Sequence, residues 1–184
     1  GKAKTAIREK KVQLEELETD ILYVESVAEF LEKASTPEEV ELLRTELADN
    51  GYMKKRKAEG KPAKIKTKPY EYKSVEGLRI LAGRNNTDND QLTFKLAGPK
   101  DIWFHAKDLA GSHVILFTEG REPSDESIRL AASIAAYHSK GKNSENVPVD
   151  YTRVKFVKKP KGAKPGMVIF TDNKTIYVNP LLPL

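Results

Sequence analysis

The chain of 184 residues has no cysteine, one tryptophan and three histidines. Without cysteine there is no disulfide framework, no thiolate zinc site and no thiol nucleophile, and the composition leans toward a reducing cytosol. No stretch approaches the ~18 uncharged apolar residues of a membrane span, and no N-terminal signal pattern appears, so a cytoplasmic protein with no membrane partner is expected. There is no Walker-type glycine-rich loop, and Gly83-Arg84-Asn85 is not a dinucleotide fingerprint, so no cofactor is expected. A G-x-S-x-G nucleophile elbow is also missing. Ser112-His113 are adjacent on an extended segment and point to opposite faces, so they cannot form a nucleophile and base pair. His105, His113 and His138 show no metal-ligand spacing and read better as hydrogen-bonded histidines. The expectation is a protein that is not an enzyme.

Hydrophobic residues make up 39% of the chain and charged residues 32%, so the chain is highly charged yet apolar enough to bury a core. The net charge of +5 hides a split. Residues 1–50 hold 7 Lys/Arg against 13 Asp/Glu, and residues 51–184 hold 25 against 14. An acidic arm on a basic body points to a polyanionic partner for the body, with an inert basic surface as the alternative. A glycine at position 1 followed at once by helix-forming sequence suggests a piece of a longer protein.

Residues 1–51 read as a helical hairpin. Ile7, Leu14, Leu17, Ile21, Val24, Ala28 and Leu31 keep a heptad spacing, which predicts a coiled-coil seam. Thr36-Pro37-Glu38-Glu39 predicts a capped second helix carrying Val40, Leu43 and Leu47 and ending at Asn50-Gly51. The second helix is short enough to cover only part of the seam. The remainder is expected to find a mate elsewhere and to self-associate in this chain. The alternative is a lone amphipathic helix resting on the body.

Residues 52–69 read as an extended, mobile basic linker, with Lys54-Lys55-Arg56-Lys57, Lys61, Lys64, Lys66 and Lys68 among Gly60, Pro62 and Pro69. Residues 70–184 read as an α+β body: a mixed or antiparallel sheet with one long packed helix. Strands are predicted at 78–82, 102–106, 112–117 and 149–157, with 167–171 and 175–178 as a hairpin around Asp172-Asn173-Lys174. A short helix is predicted over Gln91–Leu96. A longer helix, opened by the capping box Ser124-Asp125-Glu126-Ser127, should bury Ile128, Ala131, Ala132, Ala135 and Ala136.

Basic and aromatic residues together carry the strongest functional signal. On an uninterrupted strand over 149–157, Tyr151, Arg153, Lys155 and Val157 share a face, and Lys158, Lys159, Lys161 and Lys164 extend the cationic row. Such a row repels itself unless an anion compensates it, and a phosphate backbone would do so. The alternative is a solvated edge strand whose lysines block sheet pairing. Trp103 and His105 share another strand face and offer stacking to unpaired bases, with a core tryptophan as the alternative.

Several motifs resemble one family. The run from Gly83 through Arg84, Asn85, Asn89 and Asp90 to Leu92-Thr93 resembles the "G-R-N-x-x-x-N-D-x-L-T" motif of the NFACT-R domain. Asp101-Ile102-Trp103-Phe104-His105 followed by Gly111-Ser112-His113-Val114 resembles its "D-x-W-F-H … P-G-S-H-V" motif, with Ala110 in place of the proline. Residues 131–140, Val149-Asp150-Tyr151-Thr152 and Lys158-Lys159-Pro160-Lys161-Gly162 also fit, and the arm is similar to the end of the family's middle coiled coil. The resemblance implies an RNA-binding module of a ribosome-associated quality-control factor. Its partners would be rRNA of an obstructed large ribosomal subunit and tRNA, and its role would be to support alanine tailing of stalled chains. The family's tRNA-selecting N-terminal domain has no counterpart here. Candidate backbone contacts are Arg84, Asn85, Lys107, Arg153, Lys155, Lys158 and Lys159. Trp103, His105 and His113 are candidates for stacking or hydrogen bonding. Asn85, Asn89 and Asp90 have the alternative role of shaping their loop. Members also carry a fibronectin-binding name, which implies a surface adhesin as the alternative function.

Overall fold

The computed structural model describes residues 1–57 and 66–184. Lys61 and Lys64 of the basic linker lie outside the described residues. The chain opens with two helices, α1 (Lys2–Lys33) and α2 (Pro37–Asp49). Thr36 caps α2 as its sequence requires, its hydroxyl accepting from Glu39 N at 3.2 Å. The returning Glu39 carboxylate accepts from Ser35 N at 2.7 Å, one residue before the cap. Gly51 takes the left-handed conformation (φ +85°) that ends the hairpin.

The hairpin does not use the heptad seam. Tyr23, Ser26, Val27 and Phe30 of α1 are the buried residues, and all but Ser26 cluster with Leu43 of α2. Ile7, Leu14, Leu17, Ile21, Val24 and Leu31 are exposed, Ile7 by 68% and Leu17 by 58%. The packed face sits one residue, hence about 100°, around the helix from the seam. The aromatic pair Tyr23 and Phe30 offers more area to bury than the aliphatic stripe beside it. The seam is therefore open along its whole length rather than only in its N-terminal half.

The body is a six-stranded sheet of order β1-β2-β4-β3-β5-β8, every pair antiparallel. Its strands are β1 (Tyr70–Lys73), β2 (Arg79–Ala82), β3 (Ile102–Ala106), β4 (Val114–Leu116), β5 (Val147–Arg153) and β8 (Lys174–Val178). The short strands β6 (Val157–Lys158) and β7 (Ile169–Phe170) pair with each other. Helix α3 (Asn86–Gln91) runs on into a π-helical turn, Leu92–Leu96. It starts earlier than predicted because Asn85 caps it, accepting from Asp88 N at 2.8 Å. Helix α4 (Asp125–Tyr137) is capped by Ser124 and lays Ala131, Ala132, Ile134, Ala135 and Ala136 on the sheet. Alanine there lets the helix come close to the strands.

Three strand predictions are corrected. Strand β5 stops at Arg153, and Val154–Phe156 form a 3-10 turn. There Val154 N and Lys155 N donate to Asp101 O (2.9 Å) and Pro99 O (3.2 Å) of a neighbouring loop. The single cationic face over 149–157 is thus broken. Residues 167–171 and 175–178 do not form a hairpin, because β7 pairs with β6 and β8 pairs with β5. Strand β1 is an addition at the sheet edge: its Tyr-Glu-Tyr-Lys alternation is only four residues long and gives a weak signal beside the basic linker.

The sheet buries both faces. On one, Ile80, Ile102, Phe104, Val114, Leu116 and Val149 pack under α4. On the other, Leu81, Trp103 and Ile115 pack with Leu92, Val154 and Val157. The second face also carries the base of the arm.

Candidate nucleic-acid interface

The turn after β2 joins the pieces of this second face. Its polar side chains reach several different elements. Asn85 caps α3 and donates to Thr67 Oγ1 at 3.1 Å. Asn86 donates to Ser26 Oγ of α1 at 2.9 Å and to Glu46 Oε2 of α2 at 3.4 Å. Asp88 accepts from Arg84 N and from Thr67 Oγ1, which anchors the end of the linker. Asn89 Oδ1 accepts from His113 N at 3.0 Å. Asp90 accepts from Gly166 N at 3.0 Å and pairs with Lys159 Nζ at 2.9 Å. Gly166 has φ +77°, and a Cβ there would collide with Asn86. This backbone could not approach the clamp with any side chain on it.

Arg84 is engaged three ways. Its Nε donates to Lys68 O at 2.6 Å, its Nη1 pairs with Glu39 at 3.2 Å, and its guanidinium lies 4.1 Å from the Tyr70 ring centroid. It ties α2 to the body. Arg153 is held by Glu122 at 2.8 Å through both carboxylate oxygens, and by Lys100 O at 2.6 Å. Lys159 is taken by Asp90. Lys107, Lys155 and Lys158 are exposed and form no ion pair among the described residues.

The candidate cations also do not share a surface. In the ladder, Ile102 faces Arg153 and Ala106 faces Val149. Arg153 therefore lies at one end of the strands on the α4 face, whereas Trp103 and His105 lie on the other face, opposite Thr152 and Asp150. Lys107 follows the far end of β3, roughly 17 Å from Arg153 at ~3.3 Å per residue.

Trp103 is 1% exposed and His113 is 2% exposed. His113 Nε2 donates to Gly166 O at 2.9 Å, and its Nδ1 accepts from the Thr93 hydroxyl at 2.9 Å. Both ring nitrogens are used internally, and burial holds the ring well below its ordinary pKa, hence neutral. Neither ring nitrogen of His113 is left to hydrogen-bond RNA, although the residue is part of the lining of the cavity described below. His105 is half-buried, donates from Nδ1 to Ala106 O at 2.8 Å, and is also pushed down by burial. Its ring runs parallel to that of Trp103, 6° apart with centroids 5.8 Å apart.

A cavity of about 180 Å³ opens over this aromatic floor. His105, Trp103 and Phe170 line it with Met167, Leu22 and Ser26 of α1, Asp150 of β5 and Lys107 of the β3–β4 loop. The sequence puts His105 and Trp103 on one face, and they do meet. It does not place Asp150, Met167, Leu22 or Asn86 beside them. Asp150 appears in sequence only as an acid in the otherwise apolar run Val147–Tyr151 and as part of the Val149-Asp150-Tyr151-Thr152 motif, and nothing in sequence brings α1 here. Among the described residues, no group of three or more His, Asp and Glu is placed to hold a metal ion.

The family profile for the NFACT protein RNA binding domain matches residues 68–172, the span of nearly all this geometry. The chain belongs to the NFACT family. The profile for NFACT N-terminal and middle domains matches residues 1–66. The Rqc2 homolog RqcH of Bacillus subtilis is 40% identical over 184 residues, covering 97% of this chain and 31% of that protein. Its namesake in Streptococcus suis is 43% identical over 182 residues, covering 97% and 32%. The chain thus spans about a third of these curated relatives. The solved C-terminal part of the fibronectin/fibrinogen-binding protein of Streptococcus suis superposes with a TM-score of 0.86 at 41% identity, covering 98% of this chain and 72% of that one. In this NFACT chain the G-R-N run is the clamp just described. It holds arm, sheet and the 159–166 loop in one arrangement instead of projecting toward solvent.

Proposed function

We propose that this chain is the non-enzymatic, cytoplasmic RNA-contacting part of a ribosome-associated quality-control factor. In this reading residues 70–184 contact RNA of an obstructed large subunit and tRNA, residues 1–51 are a coiled-coil arm, and residues 52–69 are the link between them. The factor as a whole would support alanine tailing of stalled chains. The match of residues 68–172 to an RNA-binding domain carries the proposal. The two RqcH relatives support the quality-control setting.

Lys107, Lys155, Lys158 and the rim of His105 are the candidate contacts that remain accessible. Arg84, Asn85, Arg153, Lys159, Trp103 and His113 would act by shaping the surface. The test is anisotropy binding of ribosomal RNA and tRNA across salt. Lys107→Ala and Lys158→Ala each remove one cation that would neutralise a phosphate, and each should flatten the log–log slope by about 0.7 to 0.9. Wild-type slopes in both variants would remove them from the interface. Co-sedimentation with large subunits, with and without residues 1–50, tests the wider setting. The name of the structural neighbour favours a second reading, an adhesin for a matrix protein. Recovery of the protein on washed intact cells, and not with ribosomal subunits, would favour that reading.

A further inference from the structure

The cavity over Trp103 and His105 has a chemistry beyond general RNA affinity. Its floor is aromatic and flat, with His105 the half-buried ring beside fully buried Trp103. Phe170 closes one side, its ring centroid 4.8 Å from that of Trp103. Met167 and α1 add apolar walls. Two polar groups within it lack a complete set of partners. The Trp103 indole N–H is buried without an acceptor. Asp150 is 5% exposed and takes its bonds from Thr175 Oγ1 (2.5 Å) and Asn173 Nδ2 (3.3 Å) on the same oxygen, Oδ1. Its Oδ2 accepts no hydrogen bond from the protein among the described residues, and Asp150 is one of the residues that line the cavity. An unpartnered carboxylate oxygen beside an aromatic platform suits a flat ligand that carries amino donors on its edge.

We infer that this cavity is a subsite for one unstacked nucleobase bearing an exocyclic amino group, read by Asp150 Oδ2 and stacked on His105. The inference rests on the RNA-binding reading and deepens it. Guanine, cytosine and adenine present exocyclic amino donors, whereas uracil offers only its ring N3–H, set between two carbonyl oxygens that repel a carboxylate. Lys107 at the mouth is placed for the phosphate that follows the base out. A carboxylate that accepts from a base amino group discriminates by about tenfold or more over a base lacking one. The neutral state of His105 suits stacking and removes it as a competing phosphate ligand.

The chain's single tryptophan is in the floor of the cavity, so intrinsic fluorescence reports occupancy. Titration of the 184-residue protein with GMP, CMP, AMP and UMP should give saturable quenching by the first three, with UMP about tenfold weaker. Asp150→Asn keeps the size of the side chain and its Oδ1 bonds but turns Oδ2 into a donor. It should abolish the preference over UMP, a change in selectivity that a merely structural role for Asp150 would not produce. Should that variant fail to fold, the wild-type titration decides alone. Equal quenching by all four nucleotides, or none by any while long RNA still binds, overturns the subsite and spares the RNA reading. Quenching by a lysine-acylated peptide but by no nucleotide overturns it in favour of a protein ligand. Loss of long-RNA binding altogether in the wild type overturns both.

Discussion

The arm and the body solve the same problem of apolar surface in opposite ways. In the body, both faces of one sheet are covered from within the chain, by α4 on one side and by Leu92, Val154 and Val157 on the other. In the arm, residues 1–19 are exposed throughout, although they carry Ile7, Leu14 and Leu17 at heptad spacing. That stretch is about 28 Å of helix at ~1.5 Å per residue. Regular spacing therefore identifies surface suited to a partner, but burial depends on what the rest of the chain brings to it. Only the last third of α1 meets such material, and it does so through Tyr23, Val27 and Phe30.

The junction between the two is mostly polar, with Met167 of the body packed on the arm's apolar cluster. Asn86 reaches Ser26 and Glu46, Arg84 reaches Glu39, and Lys164 donates to Asp20 and to Tyr52. Burial raises the pKa of Glu46, opposed by its hydrogen bonds to Asn86 and Tyr23. A junction of directed hydrogen bonds fixes the angle of the arm more sharply than a greasy contact would, because each bond weakens steeply off its geometry.

The sharpest break between the regions should come with acid. His105, His113 and His138 all belong to the body, and burial lowers each of them, His138 to about 3. The Tyr72 hydroxyl and His138 Nε2 share a hydrogen bond of 2.7 Å. Unfolded histidine protonates near 6.5, so between there and about 3 the unfolded chain binds more protons than the folded one. Stability is full above 6.5 and is lost as pH falls through that window, with His138 contributing on the order of 5 kcal/mol. Urea midpoints at pH 7 and pH 4 should show this loss, and His138→Gln should make the dependence shallower. An equal slope in that variant would place the acid sensitivity elsewhere.

A core truncation comes next. Phe104→Ala, fully buried under α4, should cost about 3 to 5 kcal/mol by denaturant unfolding. Leu17→Ala in the arm should stay within about 0.5 kcal/mol. A large loss at Leu17 would mean that the arm's seam is covered in solution. At the junction, Asn86→Ala should cost about 1 to 3 kcal/mol, because it strands the hydrogen bonds of Ser26 and Glu46. Hydrogen exchange in residues 20–33 should rise while exchange in α4 stays slow. The smallest stability effect is expected for Leu17→Glu with Ile21→Glu. These leave unfolding midpoints nearly unchanged but abolish the concentration-dependent self-association that sedimentation should detect in the wild type.

Much of the molecule was legible locally. Thr36, Ser124 and Gly51 marked helix ends correctly because a cap is a contact between residues three or four apart. The alternation of Ile102–Ala106 placed Trp103 and His105 together because a strand's period is two. The cationic row failed at Val154, where the chain leaves the sheet to bond with Pro99 and Asp101, some 53 residues away in sequence. Asn86 and Asp90 were readable as loop polar residues, but their partners Ser26 and Gly166 lie 60 and 76 positions away.

What the sequence determined alone was local: the two helices of the arm, most strands of the body, the charge split between them, and the family motifs. Tertiary structure decided which face of α1 is buried, which cations are already neutralised by acids of the same chain, and that Asp150 opens onto an aromatic floor. The reason is range. Caps and periodicities are set by neighbours within a few residues, whereas the meeting of β5, α1 and the 166–170 segment is set by which surfaces exclude water best once all of them exist.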